Sequence, residues 1–250
     1  MAENKLYIHR NRRKVGKIWR NKMISFNKIL VLVGLLIFPT IAFAQLEGNP
    51  ENWCRNGHFP REGGDYSIGV IKAKKGERVY FYGDDDDCPN GKNCRQKVYL
   101  VAGNEVIVSR KFGNWACSWY QPKKGSETVG WIPLKNLEFT PSVQGIESYA
   151  GKWTFYDNDI EIKKTKDPKV FEVKGNAFWK GFGDNIHIGE LDGKAFWNEK
   201  VLLYGEDDKS EYACKVKLDL VWNYLIVSDN MNCGGANVTF SGVYRKSSTR

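Results

Sequence analysis

Between residues 78 and 244 the chain returns repeatedly to short runs of β-branched and aromatic residues cut by Gly, Asp and Asn turns, and no stretch sustains a helical period. The first runs are Arg78-Val79-Tyr80-Phe81-Tyr82, Lys97-Val98-Tyr99-Leu100-Val101, Glu105-Val106-Ile107-Val108 and Val129-Gly130-Trp131-Ile132. A second series opens at Tyr149-Ala150-Gly151-Lys152-Trp153-Thr154-Phe155 and continues, over about eight strand-like segments, to residue 244. Within Tyr212-Ala213-Cys214-Lys215-Val216-Lys217-Leu218-Asp219-Leu220 the apolar residues hold one parity while Lys215, Lys217 and Asp219 hold the other, the pattern of a half-buried antiparallel strand. The chain therefore reads as all-β, and a doubly wound sheet or a helical bundle is disfavoured.

Thr140-Pro141-Ser142-Val143-Gln144-Gly145 is small, polar and turn-forming, and it separates the two series. This places one domain at residues 45–140, a linker at 141–145 and a second domain at 146–250. Cys54, Cys88, Cys94 and Cys117 precede the linker; Cys214 and Cys233 follow it. If the halves fold separately, Cys214 must pair with Cys233. Cys88 and Cys94 flank Pro89-Asn90-Gly91-Lys92-Asn93, a composition suited to a turn closed by a local bridge, which leaves Cys54 for Cys117.

An even set of cysteines suits an oxidising compartment. The apolar segment 29–44 and the residues before it have the parts of an export signal: a basic stretch ending at Lys28, the run ILVLVGLLIF, and the small-residue site Ala42-Phe43-Ala44 before Gln45. Cleavage after Ala44 is expected, with a periplasmic or secreted product and no stable membrane anchor. Gln45 stands where a lipoprotein would carry Cys. Met23 sits where an ordinary signal begins, so residues 1–22 read equally as an over-long start or as an extended basic region.

The net charge of +9 belongs almost wholly to this leader. Residues 1–44 hold nine Lys/Arg against one acid, and residues 45–250 hold 29 against 28, which disfavours a nucleic-acid-binding domain. Zinc is disfavoured because only His58 and His187 lie beyond the leader and no C-x-x-C pair exists. Calcium has little support at Asp84-Asp85-Asp86-Asp87: counting from Asp84, an EF-hand loop would need Gly and Glu where Pro89 and Arg95 stand. No cofactor-binding motif is present.

Lys97-Val98-Tyr99-Leu100-Val101-Ala102-Gly103-Asn104-Glu105-Val106, then Asn114-Trp115-Ala116, then Gly130-Trp131-Ile132-Pro133-Leu134-Lys135-Asn136-Leu137, resembles a bacterial SH3-like domain over residues 70–139. That resemblance implies a small barrel that binds peptides or cell-wall peptide stems through aromatic side chains beside a variable loop. The corresponding positions are Tyr80, Tyr82 and Trp131, with Asp84 and Asp85 available to basic groups on a partner. The departures are the acidic, cysteine-flanked loop at 84–94 and the extra segment at 52–66.

Gly151-Lys152-Trp153 resembles the G-x-W start of lipocalin and calycin barrels, in which a basic residue of the last strand packs across the tryptophan; Arg245 is the expected partner. The stretch from Cys214 to Arg245, with Cys233-Gly234-Gly235 and Asn237-Val238-Thr239-Phe240-Ser241-Gly242, is similar to the C-terminal region of exported bacterial proteins that join it to an SH3-like half. The fold expected is thus an SH3-like small barrel followed by a second small antiparallel β-barrel, both disulfide-bonded.

Catalytic signatures are weak. Neither histidine accompanies a nucleophile elbow, and an even cysteine count leaves no spare thiol. The reading is an exported, non-enzymatic cell-envelope protein that binds a peptide, a peptidoglycan fragment or another protein. The alternatives are an inhibitor or immunity protein acting on a wall hydrolase such as lysozyme, and a wall hydrolase using a carboxylate pair.

Overall fold

The computed structural model describes residues 54–59, 65–85, 87–140, 145–206 and 208–247. The expected export signal, Asp86 and residues 141–144 of the expected linker lie outside them.

Seven strands form the first sheet: β1 (Ser67–Ile71), β2 (Val79–Tyr82), β3 (Arg95–Leu100), β4 (Glu105–Phe112), β5 (Trp115–Tyr120), β6 (Thr128–Pro133) and β7 (Leu137–Thr140). They are antiparallel in the order β3-β2-β6-β5-β4-β1-β7, so β3 and β7 are its edges and no ladder joins them. One face packs Val79, Phe81, Leu100, Val106, Val108 and Ile132 into a core of its own. On the opposite face Ile68, Ile107, Trp119, Val129 and Trp131 are buried as well.

Eight strands follow: β8 (Gly151–Phe155), β9 (Asn158–Lys164), β10 (Val170–Lys180), β11 (Ile186–Trp197), β12 (Leu202–Tyr204), β13 (Val216–Val221), β14 (Tyr224–Asp229) and β15 (Gly242–Lys246). They close into an antiparallel barrel, β15 pairing with β8. Strict alternation builds it. In β10, Phe171, Val173 and Ala177 point inward while Glu172, Lys174 and Asn176 face solvent. Trp153, Leu191, Leu218, Phe240 and Tyr244 fill the interior, as suits an eight-stranded barrel whose bore matches the size of side chains. A 3₁₀ turn, Ile146–Tyr149, closes one end: the Tyr149 hydroxyl accepts from the Leu220 N–H at 3.2 Å and its carbonyl accepts the Trp153 indole N–H at 2.9 Å.

The sheets share no ladder but belong to one compact unit, residues 49–250, and they share an apolar layer. Val221, Ile226 and Val243 point outward from β13, β14 and β15 and pack in one cluster with Ile68, Trp119 and Trp131. This explains why Asp219, expected on a solvent face, is only 8 % exposed. The segment 54–59 adds Cys54 and Phe59 to the same layer, and Asn56 Oδ1 accepts the Val129 N–H at 2.8 Å.

Three disulfides join Cys54 to Cys117, Cys88 to Cys94 and Cys214 to Cys233, and no cysteine is free. The basic residue over Trp153 is Lys246, with Nζ 5.2 Å from the ring, whereas Arg245 lies over Tyr224. Strand register decides this, because Lys246 pairs opposite Trp153 and Arg245 opposite Thr154. Gly151 belongs to the same arrangement: its φ is 138°, and a Cβ there would sit 2.6 Å from Lys246 Cε.

Candidate functional site

Of the expected binding residues, two are part of the fabric of the fold. Trp131 is 0 % exposed, ringed by Phe112 at 6.0 Å and the shared apolar layer, with an indole N–H that meets no acceptor among the described residues. It cannot serve as an exposed platform. Asp84 is 3 % exposed and accepts from the Cys54 backbone N–H at 2.9 Å and from Arg55 Nη2 at 2.9 Å. Asp85 takes the same guanidinium at 2.8 Å. The acidic loop therefore holds the chain's own segment 54–59 against the sheet; that contact buries the Asp84 carboxylate, whereas the Asp85 side chain stays largely exposed. The Arg55 pKa is raised, first by its hydrogen bond to Asp84.

Tyr82 is half-buried, its ring 4.6 Å from Trp115, whose indole N–H donates to Asn90 Oδ1 at 2.8 Å. The loop closed by Cys88–Cys94 is thereby tied to the sheet.

Tyr80 alone opens onto a continuous exposed surface. It has the strand parity of Tyr82 but, next to the edge strand β3, is not among the residues packed in the shared apolar layer. Tyr99 stands opposite it in the β2–β3 register, ring centroids 5.8 Å apart, and is 42 % exposed. The Arg95 guanidinium lies 4.7 Å over the Tyr80 ring, and that of Arg78 4.4 Å over Tyr99. The Arg78 pKa is raised, first by its interaction with the Tyr80 side chain and then by Tyr99. Lys97 is exposed between Arg95 and Tyr99. A β-bulge between Tyr80 and Tyr82 sets this spacing. The result is two phenol rings between two fixed guanidinium planes, with no carboxylate of β2 or β3 among them.

Sequence reading named Tyr80 but passed over Arg78, Arg95 and Tyr99. Their signal was the strand-to-strand pairing of two Arg/Tyr runs, which becomes visible only once the register is known.

The His187 ring is 5.0 Å from Trp179, and its Nδ1 contacts the Ala236 carbonyl. Among the described residues no three His, Cys, Asp or Glu side chains are grouped to hold a metal ion. No family model, no curated protein sequence and no solved structure matches this chain.

Proposed function

We propose that this chain is an exported, non-enzymatic binding protein of the bacterial envelope that recognises an anionic peptide or the peptide stem of a peptidoglycan fragment. The observation that carries this reading is the Arg95–Tyr80–Tyr99–Arg78 array. Planar guanidinium groups take carboxylates in bidentate fashion, and the phenol faces beside them accept apolar side chains or peptide planes. The open edge of β3 adds unpaired backbone groups that an extended peptide can meet. Three disulfides are compatible with an oxidising compartment.

Co-sedimentation with isolated peptidoglycan, and competition by an acidic tetrapeptide, test the reading. Tyr80→Ala combined with Arg95→Ala removes a phenol face and a guanidinium from the array and is expected to weaken binding about tenfold. Equal binding by wild type and double variant would reject it.

A second reading, inhibition of a wall hydrolase such as lysozyme, draws on the barrel. The β10–β11 hairpin carries a fully exposed Phe182 at its tip, with Ile186 and Ile188 exposed behind it. A convex apolar tip of this kind suits a substrate cleft. Phe182→Asp should abolish lysozyme inhibition while leaving peptidoglycan binding intact, and no inhibition by the wild-type protein would discard this alternative.

A further inference from the structure

We infer that the groove at the junction of the two sheets is a second binding site, built for an acidic saccharide. The groove is open to solvent and has a volume of about 610 Å³, within the range of small-molecule sites, which gather at such junctions. Four separate pieces of chain line it: the β3–β4 turn, the end of β5, the β13–β14 turn and the end of β15.

Its aromatic wall is held in place. Tyr224 meets the edge of Trp119 at 5.5 Å, and the Arg245 guanidinium lies 5.6 Å over its ring. Arg245 Nη2 in turn donates to the Gln121 carbonyl at 3.4 Å, so one side chain ties the barrel to the sheet across the groove. Tyr120 lines the groove at the end of β5, while its ring packs against the core on the other face of the sheet.

The polar groups select among ligands. Glu105, Lys123 and Asn223 line the groove together with Arg245 and Lys246. A sugar ring presents an apolar face to stack on a phenol and an edge of hydroxyls that both donate and accept. Glu105 accepts from such hydroxyls, Asn223 does both, and Lys123 and Arg245 outnumber the single carboxylate, which favours a sugar that carries an acid; the Lys246 ammonium is held by the Ser148 carbonyl over Trp153. A phosphate-rich chain fits less well, because it would bring charge against Glu105 and offers it no donor. The inference does not depend on the β2–β3 face, which shares no residue with the groove.

The test titrates the full-length protein with the disaccharide of N-acetylglucosamine and N-acetylmuramic acid, with uncharged chitobiose and with an acidic tetrapeptide, following tryptophan fluorescence and calorimetry. The acidic disaccharide should bind about tenfold more tightly than chitobiose. Lys123→Glu, on an exposed turn, should erase that preference, and Tyr224→Ala should lower affinity for both sugars at least tenfold. Asn223→Ala replaces Tyr224→Ala if the latter fails to fold. Tyr80→Ala should change neither sugar affinity. Absence of sugar binding at millimolar concentration, binding insensitive to Lys123→Glu, or tighter binding of the tetrapeptide at the groove would overturn the inference. Sugar binding lost on Tyr80→Ala would also overturn it while leaving the peptidoglycan reading intact, whereas sugar binding without peptidoglycan co-sedimentation would do the reverse.

Discussion

The barrel and the seven-stranded sheet use the same in-and-out alternation, but they hide apolar surface differently. The barrel closes on itself, so each strand has one interior parity, and most of its outer face is polar. The sheet is apolar on both faces, and its second face is buried only where the barrel and segment 54–59 cover it. Covering is incomplete at the β2–β3 edge, and there the aromatic residues that would otherwise have joined the layer stand open with arginines over them. A surface rich in tyrosine thus arises where a two-faced sheet runs past its cover.

Tryptophan truncation should have the largest effect, and it separates the two kinds of core. Trp153 and Trp131 are both fully buried, so replacing either with Ala should cost about 3–5 kcal/mol and yield little soluble protein. Phenylalanine distinguishes them. Trp153→Phe breaks the indole bond to the Tyr149 carbonyl and leaves that acceptor inside the barrel, whereas Trp131→Phe removes a donor that has no acceptor. Urea denaturation should show Trp131→Phe to be the milder change. If Trp131→Ala folded as well as wild type, the shared layer would have no energetic weight.

The bridges rank next. Cys54–Cys117 spans 63 residues and fastens segment 54–59 over the sheet, so in the chain-entropy model its removal costs ~4 kcal/mol. Cys88–Cys94 spans 6 residues, for ~2 kcal/mol in the same model. Paired Cys→Ser variants, compared by urea midpoint, should preserve this order. The reverse order would mean that segment 54–59 contributes little to the cover.

What could be read in the sequence followed from local pattern and from counting. Alternation and turn residues reveal an all-β chain, and the polar stretch at 140–145 partitions six cysteines so that few pairings remain. What could not be read depends on long-range facts. Trp131 looks like a groove residue until the barrel is placed against it. Asp84 looks like an exposed acid until Arg55, 29 residues earlier, reaches it. Arg245 and Lys246 differ by one position, and a one-residue change of register exchanges the two faces of a strand, so choosing between them required the β8–β15 ladder. The Tyr80–Tyr99 pair was hidden for the same reason.

Surface and buried charge give the smaller effects. Arg78→Ala, at the open edge, removes an exposed side chain and should move stability by no more than ~0.5 kcal/mol, with thermal melts coinciding within error. A loss comparable to that of a core variant would mean the array is part of the scaffold and not a surface for a ligand.

The most delicate test concerns Asp219, the one carboxylate of β13, which the cover has enclosed. Burial is the main reason its pKa is raised; Lys217 and Lys200 pull it down, while Asp65 pushes it up again. Because the folded protein holds this proton to a higher pH than the unfolded chain does, the contribution favours folding below the unfolded carboxylate pKa and fades as pH rises through the folded one. At neutral pH the ionised side chain is therefore a small cost of laying the sheet on the barrel. Asp219→Asn should melt slightly above wild type at pH 7, and the gap should close as pH falls into the ordinary carboxylate range. Tyr66 supplies an internal check, since burial first and the Asp219 charge second raise its phenol pKa, and the substitution should bring that ionisation down in an alkaline absorbance titration. A melting gap that is constant with pH, together with an unmoved Tyr66, would place Asp219 in contact with water, and the layer between the halves would then be looser than its buried tryptophans imply.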